Sequence, residues 1–290
     1  MEKVLITGAT GLIGREVLAL LEDEYDCWII GRRPVSGKRI HFIEQDIGKP
    51  FDLSKFPEQV DYVIHLAQSD NHNDLESNRK ELFNVNVYGM LQLLDYGIKA
   101  KIKKFLFASS GGVYSRLDKA VSEDDVLTVS NALNFYQNTK LCMEILSQNY
   151  QEFFDVITFR FFFVYGTGQK TNMLFPRLIE SVREKGVITI GSLDDIRINP
   201  IYKTDAAQCV LKALKNIHRT QTFNIAGSEI TCLGTIIKKI SQKIGVDAEI
   251  KYEDKKQQDT VADIQKMQSL LWKPQVRLDE GIGRVLEAIK

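Results

Sequence analysis

Lys3-Val4-Leu5-Ile6-Thr7-Gly8-Ala9-Thr10-Gly11-Leu12-Ile13-Gly14 decides how the rest of the chain is read. Lys3 to Thr7 is a short apolar run, long enough for one buried strand. It breaks at the glycines, and a helical pattern follows through Val17, Leu18, Leu20 and Leu21. Strand, glycine-rich turn and helix in succession are what a pyrophosphate site needs. Gly8 can take the tight turn, Gly11 lets backbone approach the phosphates, and Gly14 lets the helix pack on the strand. The helix start then offers free N–H donors and a partial positive charge to an anion. Glycines alone would equally serve a flexible connection. Their context, strand before and helix after, favours a nucleotide.

The 290 residues allow one large domain or two modest ones. A formal net charge of zero argues against nucleic acid or an anionic membrane surface as the main partner. No apolar run approaches the ~18 residues of a membrane span. The first apolar residues lead straight into the glycine turn, unlike a signal peptide. Cys27, Cys142, Cys209 and Cys232 are scattered, without metal or redox spacing. They read as reduced thiols of a cytoplasmic protein that holds no metal.

Strands separated by helical patterns predict a Rossmann-type α/β fold, a doubly wound parallel sheet. The expected strands are 3–7, 27–30, 39–43, 60–67, 104–108 and 156–162, with helices over 74–100 and 134–150. Beyond residue 168 the alternation loosens. Helices are expected near 173–185, 205–215 and 233–244 and from Leu278, and strands at 187–190, 199–202, 223–226 and 248–252. This places a dinucleotide-binding domain at 1–166, with 199–227 returning to it. A smaller interleaved substrate lobe takes 167–198 and 228–290.

Two further stretches carry chemistry. The second strand ends at Gly31-Arg32, where NAD-binding versions of this fold place a carboxylate for the ribose hydroxyls. An arginine suits a 2′-phosphate, so NADP is expected, with NAD possible; the competing reading is a solvated pair of surface arginines. Tyr136-Gln137-Asn138-Thr139-Lys140 puts a phenol and an amine four residues apart on one helix face. An ammonium beside it would favour the phenolate and bring a poor base towards working range. Alone, the spacing also fits a packed tyrosine beside a surface lysine.

TGATGLIG at 7–14, DI at 46–47, HLA at 65–67, ASSGGVY at 108–114, YQNTK at 136–140, RFFFVYGTG at 160–168 and NPIYKTD at 199–205 together resemble one family. FNIAG at 223–227 and WKPQVRLDEGI at 272–282 extend the likeness to the end of the chain. It is that of an extended short-chain dehydrogenase/reductase of the NAD-dependent epimerase/dehydratase family, whose members modify nucleotide sugars. The resemblance implies that Ser110 polarises the substrate oxygen, Tyr136 is the acid/base, and Lys140 holds the nicotinamide ribose and lowers the tyrosine pKa. It implies Gly8, Leu12 and Ile13 at the pyrophosphate, Asp46 and Ile47 at the adenine, and Leu66 and Ala67 along the middle of the cofactor. It also implies a homodimer in which the helices at 74–100 and 134–150 pair with their symmetry mates. Leu133 and Met143 are candidates for that face or for the core.

Departures from the family pattern bear on the substrate. Dehydratases carry an acidic pair after the serine or threonine. Gly111 and Gly112 stand here and cannot move a proton, which disfavours elimination of water. Phe163 occupies the place of an asparagine that helps hold the substrate phosphate. Arg177 and Arg197 then become candidates for a diphosphate, or simply surface charges. The expected activity is oxidation or reduction of a nucleotide-activated sugar. A sugar epimerase, using the same residues, is the alternative, and a non-catalytic cofactor sensor is disfavoured by the intact Ser110, Tyr136 and Lys140.

Overall fold

The computed structural model describes residues 1–69, 75–114, 119–129, 133–191, 196–253 and 259–289. The chain divides into two compact units, each assembled from discontinuous segments. The first comprises Met1–Ser115, Leu127–Phe161 and Ala207–Phe223, and the second Arg116–Val126, Phe162–Ala206 and Asn224–Lys290.

The elements up to residue 161 are β1 (Lys3–Thr7), α1 (Leu12–Leu21), β2 (Asp26–Gly31), β3 (Ile40–Glu44), β4 (Tyr62–His65), α2 (Leu75–Phe83), α3 (Gly89–Ala100), β5 (Lys104–Ser110), α4 (Phe135–Gln148) and β6 (Asp155–Phe161). Next come β7 (Val164–Tyr165), α5 (Leu174–Arg183), β8 (Val187–Ile190), β9 (Arg197–Ile198), β10 (Ile201–Tyr202), α6 (Lys203–Asn216) and β11 (Gln221–Ile225). The last are β12 (Thr231–Cys232), α7 (Leu233–Ile244), β13 (Glu249–Tyr252), α8 (Gln265–Leu270) and α9 (Leu278–Ala288).

Seven strands form one sheet in the order β11-β6-β5-β4-β1-β2-β3. β1 to β6 pair in parallel throughout. Val4, Leu5, Ile6, Val63, Ile64, Phe105 and Leu106 are fully buried, as expected of strands covered on both faces. The chain winds from β1 towards β3 on one side and from β4 towards β6 on the other. The carboxyl ends of β1 and β4 therefore flank the switch point, where this architecture opens its ligand crevice.

β4 stops at His65, two residues before the expected end. The Leu66 N–H makes the last bond of the ladder, to the Thr7 carbonyl, and the Ala67 N–H then turns to the Thr7 hydroxyl. The long helix expected over 74–100 is traced from Leu75, and residue 74 lies outside the described residues. Between α2 and α3, Asn84–Tyr88 is π-helical. Within that wider turn Asn86 is fully buried. Its Oδ1 accepts the Ser69 N–H at 3.0 Å and its Nδ2 donates to Thr139 Oγ1 at 2.9 Å.

In the second unit β7 pairs with β10, β8 with β13 and β9 with β12. Its core gathers Phe175, Ile179 and Val182 of α5, Ile236, Ile237 and Ile240 of α7, and Ile282 and Val285 of α9. Apolar residues spaced three and four apart on each helix produce that common face. The first unit's core contains Met143, which has no exposed surface, and Leu133 is also buried. Neither of these is available to a partner chain. None of the four cysteines forms a disulfide. Among the described residues no helix is long and apolar enough to cross a membrane.

Candidate active site

The glycine turn is built around one carbonyl. Gly8 has φ +76°, left-handed backbone that glycine takes without strain. A Cβ on Gly8 would lie 2.5 Å from the Ala67 nitrogen, and one on Gly14 would lie 2.0 Å from the Gly8 oxygen. Backbone cannot yield at either place. Gly11 is looser, at 3.1 Å from the same oxygen, and donates its N–H to it at 2.9 Å. α1 begins at Leu12 with no side-chain cap and no acidic residue in its first turn. An uncapped helix start behind a cradle closed to side chains fits an anion such as the pyrophosphate of a dinucleotide. The N–H groups of Leu12 and Ile13 belong to that first turn. Leu66 and Ala67 follow β4 at the same switch point. Asp46 and Ile47 follow β3; Asp46 Oδ1 accepts the Gly48 N–H at 3.0 Å, and Ile47 is buried. Arg32, beyond the end of β2, is exposed.

Ser110 ends β5, and Tyr136 and Lys140 share one face of α4. The helix start is fixed by a capping box in which Asn134 and Gln137 each bond the other's backbone N–H. Tyr136 donates to Gln68 Oε1 at 3.0 Å and is hydrogen-bonded by Ser110. Lys140 is fully buried, donates to the Ala108 carbonyl at 2.8 Å, and sits 5.8 Å from the Tyr136 ring centroid. The structure therefore brings Ser110, Tyr136 and Lys140 together.

Their protonation differs from the expectation. Burial drives the Lys140 amine down to about 7, with Glu144 opposing the shift. Burial pushes the Tyr136 phenol up to about 12, with the Ser110 hydrogen bond opposing. The expected lowering of the phenol by the lysine is absent, because desolvation penalises the charged form of both groups. The resting pair is a neutral phenol beside an amine poised near neutrality.

Three expected substrate residues lie in the second unit. Phe163 is 38% exposed and has φ +43°, an uncommon backbone for a bulky residue. Arg177 of α5 is exposed. Arg197 is committed to Asp259: its backbone N–H donates to Oδ1 at 2.8 Å and its Nε to Oδ2 at 2.7 Å.

Sequence reasoning missed Gln68, Asn86, Glu144 and Arg160. Glu144 carried a usable signal, since it extends the Tyr136–Lys140 spacing by one more turn. Gln68 and Asn86 carried none, because their partners are distant in sequence. Deep burial and the Lys140 charge hold His65 neutral, its pKa lowered to about 3, while Thr7 Oγ1 lies 2.6 Å from its Nδ1.

Residues 4–226 match the NAD dependent epimerase/dehydratase family. The chain belongs to that family. It is 30% identical to a Bacillus subtilis (strain 168) protein described as an uncharacterized UDP-glucose epimerase, YtcB, over 97% of this chain and 95% of the other. It is 28% identical to the mouse (Mus musculus) dTDP-D-glucose 4,6-dehydratase over 99% of this chain and 88% of that enzyme. Among solved structures it resembles the Bacillus cereus UDP-glucuronic acid 4-epimerase in complex with UDP-glucuronic acid and NAD. The TM-score is 0.89 at 28% identity, covering 99% of this chain and 98% of that one. The seven-stranded sheet and its switch point are thus those of an enzyme family, as the motifs from TGATGLIG to FNIAG implied.

Proposed function

We propose that this member of the epimerase/dehydratase family is an NAD(P)-dependent oxidoreductase that reduces a keto group, or oxidises an alcohol, of a nucleotide-activated sugar. The convergence of Ser110, Tyr136 and Lys140 carries the reading. Ser110 is the residue for the sugar oxygen. Tyr136, neutral with a pKa of about 12, is in the form that donates a proton to a carbonyl as it becomes an alcohol. Lys140 is the residue for the nicotinamide ribose, Gly8, Gly11, Leu12, Ile13 and Gly14 for the pyrophosphate, and Asp46, Ile47, Leu66 and Ala67 for the adenine side and middle of the cofactor. Bound there, a nicotinamide dinucleotide supplies or takes up the hydride.

Arg32, with Gly31 in place of a carboxylate, supports NADP. Gly111 and Gly112 offer no acid or base for removing water. Selection of the sugar nucleotide falls to the second unit, with Phe163, Arg177 and Arg197 as its candidates. We place the protein in the cytoplasm and take it to be a homodimer. The exposed Phe83 of α2 and Ile145 of α4 give its helices an apolar outer surface. The UDP-sugar 4-epimerase likeness favours a second reading, in which the same residues oxidise and re-reduce one carbon while the cofactor stays bound.

Purified enzyme assayed with NADPH and with NADH against a panel of keto and alcohol nucleotide sugars tests both. Net consumption of NADPH is expected, with Tyr136→Phe lowering turnover by about 10²–10⁴-fold. Tightly held NAD and interconversion of sugars without net consumption would replace the reductase by the epimerase. An unimpaired Tyr136→Phe would remove both.

A further inference from the structure

We propose that Glu144 is a positioning residue that clamps the Ser110 end of β5 to the catalytic face of α4 and provides the counter-charge of Lys140. The inference rests on the reading of Ser110, Tyr136 and Lys140 given above. Tyr136, Lys140 and Glu144 succeed one another at intervals of four, so they lie along one helix face. Each takes hold of a different residue at the end of β5. Tyr136 meets Ser110, Glu144 Oε1 accepts from Ser109 Oγ at 2.5 Å, and Lys140 Nζ donates to the Ala108 carbonyl at 2.8 Å. Three consecutive strand residues are thus bonded to three turns of one helix.

β6 supplies the brace behind them. Arg160, paired in register with Ser109, gives Nη2 to Glu144 Oε2 at 2.7 Å and Nε to both carboxylate oxygens. Its Nη1 donates to Tyr114 Oη at 2.6 Å, and its guanidinium lies 4.8 Å from the centroid of that ring. Such a fork fixes the carboxylate plane as well as its distance.

Lys140, Glu144 and Arg160 are all buried, with the Glu144 carboxylate bonded to the Arg160 guanidinium and one helical turn from the Lys140 amine. Stripping water from an ammonium is costly, and a carboxylate one turn away offsets part of that cost. Among the described residues, the other groups facing Lys140 supply no negative charge. His65 of β4 is neutral, Tyr136 is protonated, and β5 presents a carbonyl. A cavity of about 260 Å³ is bordered by Glu144, Arg160, Ser147, Gln148, Thr158 and Thr222.

The test compares wild type, Glu144→Gln, Glu144→Asp and Ser109→Ala in two measurements. The first follows the Lys140 ε-carbon through a pH titration by NMR of ¹³C-lysine-labelled protein, without substrate. Glu144→Gln is expected to move that titration down by about one pH unit, and Glu144→Asp to restore most of it. The second is the pH profile of kcat/KM. Its alkaline limb, where Lys140 loses its proton, should move down with the titration in Glu144→Gln. Ser109→Ala breaks the clamp but keeps the charges. It should lower kcat at least tenfold with the titration and the cofactor KM unmoved, and it keeps the idea open to refutation if Glu144→Gln fails to fold. A Lys140 titration unchanged in Glu144→Gln, or an unimpaired Ser109→Ala, overturns the inference. Wild type that turns over no nucleotide sugar would remove the functional reading, while the NMR titration would still decide the charge role of Glu144.

Discussion

Phe163 carries a left-handed φ of +43° in a position where its ring is only partly covered. Left-handed backbone costs an ordinary L-residue about 1–2 kcal/mol, and asparagine tolerates it best after glycine. Replacing the ring by alanine or by asparagine removes similar packing, so comparing the two isolates the backbone. Phe163→Asn should exceed Phe163→Ala in stability by about 1 kcal/mol in urea unfolding. Equal midpoints would mean that the backbone there is unstrained. Single residues also show where reading the sequence stops. Tyr136 and Lys140 were legible by their spacing on one helix face, and Ser110 through the family resemblance of ASSGGVY at 108–114. Gln68, Arg160 and the state of the phenol were not, since pairing and desolvation arise only when β4, β5, β6 and α4 come together.

Among elements, the β1–turn–α1 unit gives the sharpest expectation. A methyl at Gly14 would meet the Gly8 carbonyl at 2.0 Å, whereas one at Gly11 would stand at 3.1 Å. Gly14→Ala should weaken NADPH binding in a fluorescence titration at least tenfold, about 1.4 kcal/mol. Gly11→Ala should weaken it less; the reverse order would mean that the turn is not the cradle. The strands of the sheet were visible as apolar runs, and α4 through the Tyr136–Lys140 spacing on one helix face. The π-helical stretch was not, because Asn86 reads as an ordinary polar residue until Ser69 and Thr139 are beside it. Two-residue strands such as β7, β9 and β12 lie below any period that sequence can display.

At the scale of the molecule, the fold class was legible from alternation alone, while the course of the chain between units was less so. Residues 116–126 belong to the second unit although strands of the first lie on either side of them. The proposed homodimer is a property of this scale too. Light scattering should report twice the 33.1 kDa chain mass, and Phe83→Glu with Ile145→Glu should return it to one chain without loss of fold. Wild type already at one chain mass would refute it. The interleaving also bears on biosynthesis. The first unit receives its last segment, Ala207–Phe223, only after more than two-thirds of the 290 residues have been made. Domains tend to fold as units, N-terminal first, as they emerge from the ribosome. Here β1 to β6 must wait for β11 on the edge of β6 while much of the second unit has already been synthesised. Completion of the cofactor-binding sheet is therefore a late event in the life of the nascent chain.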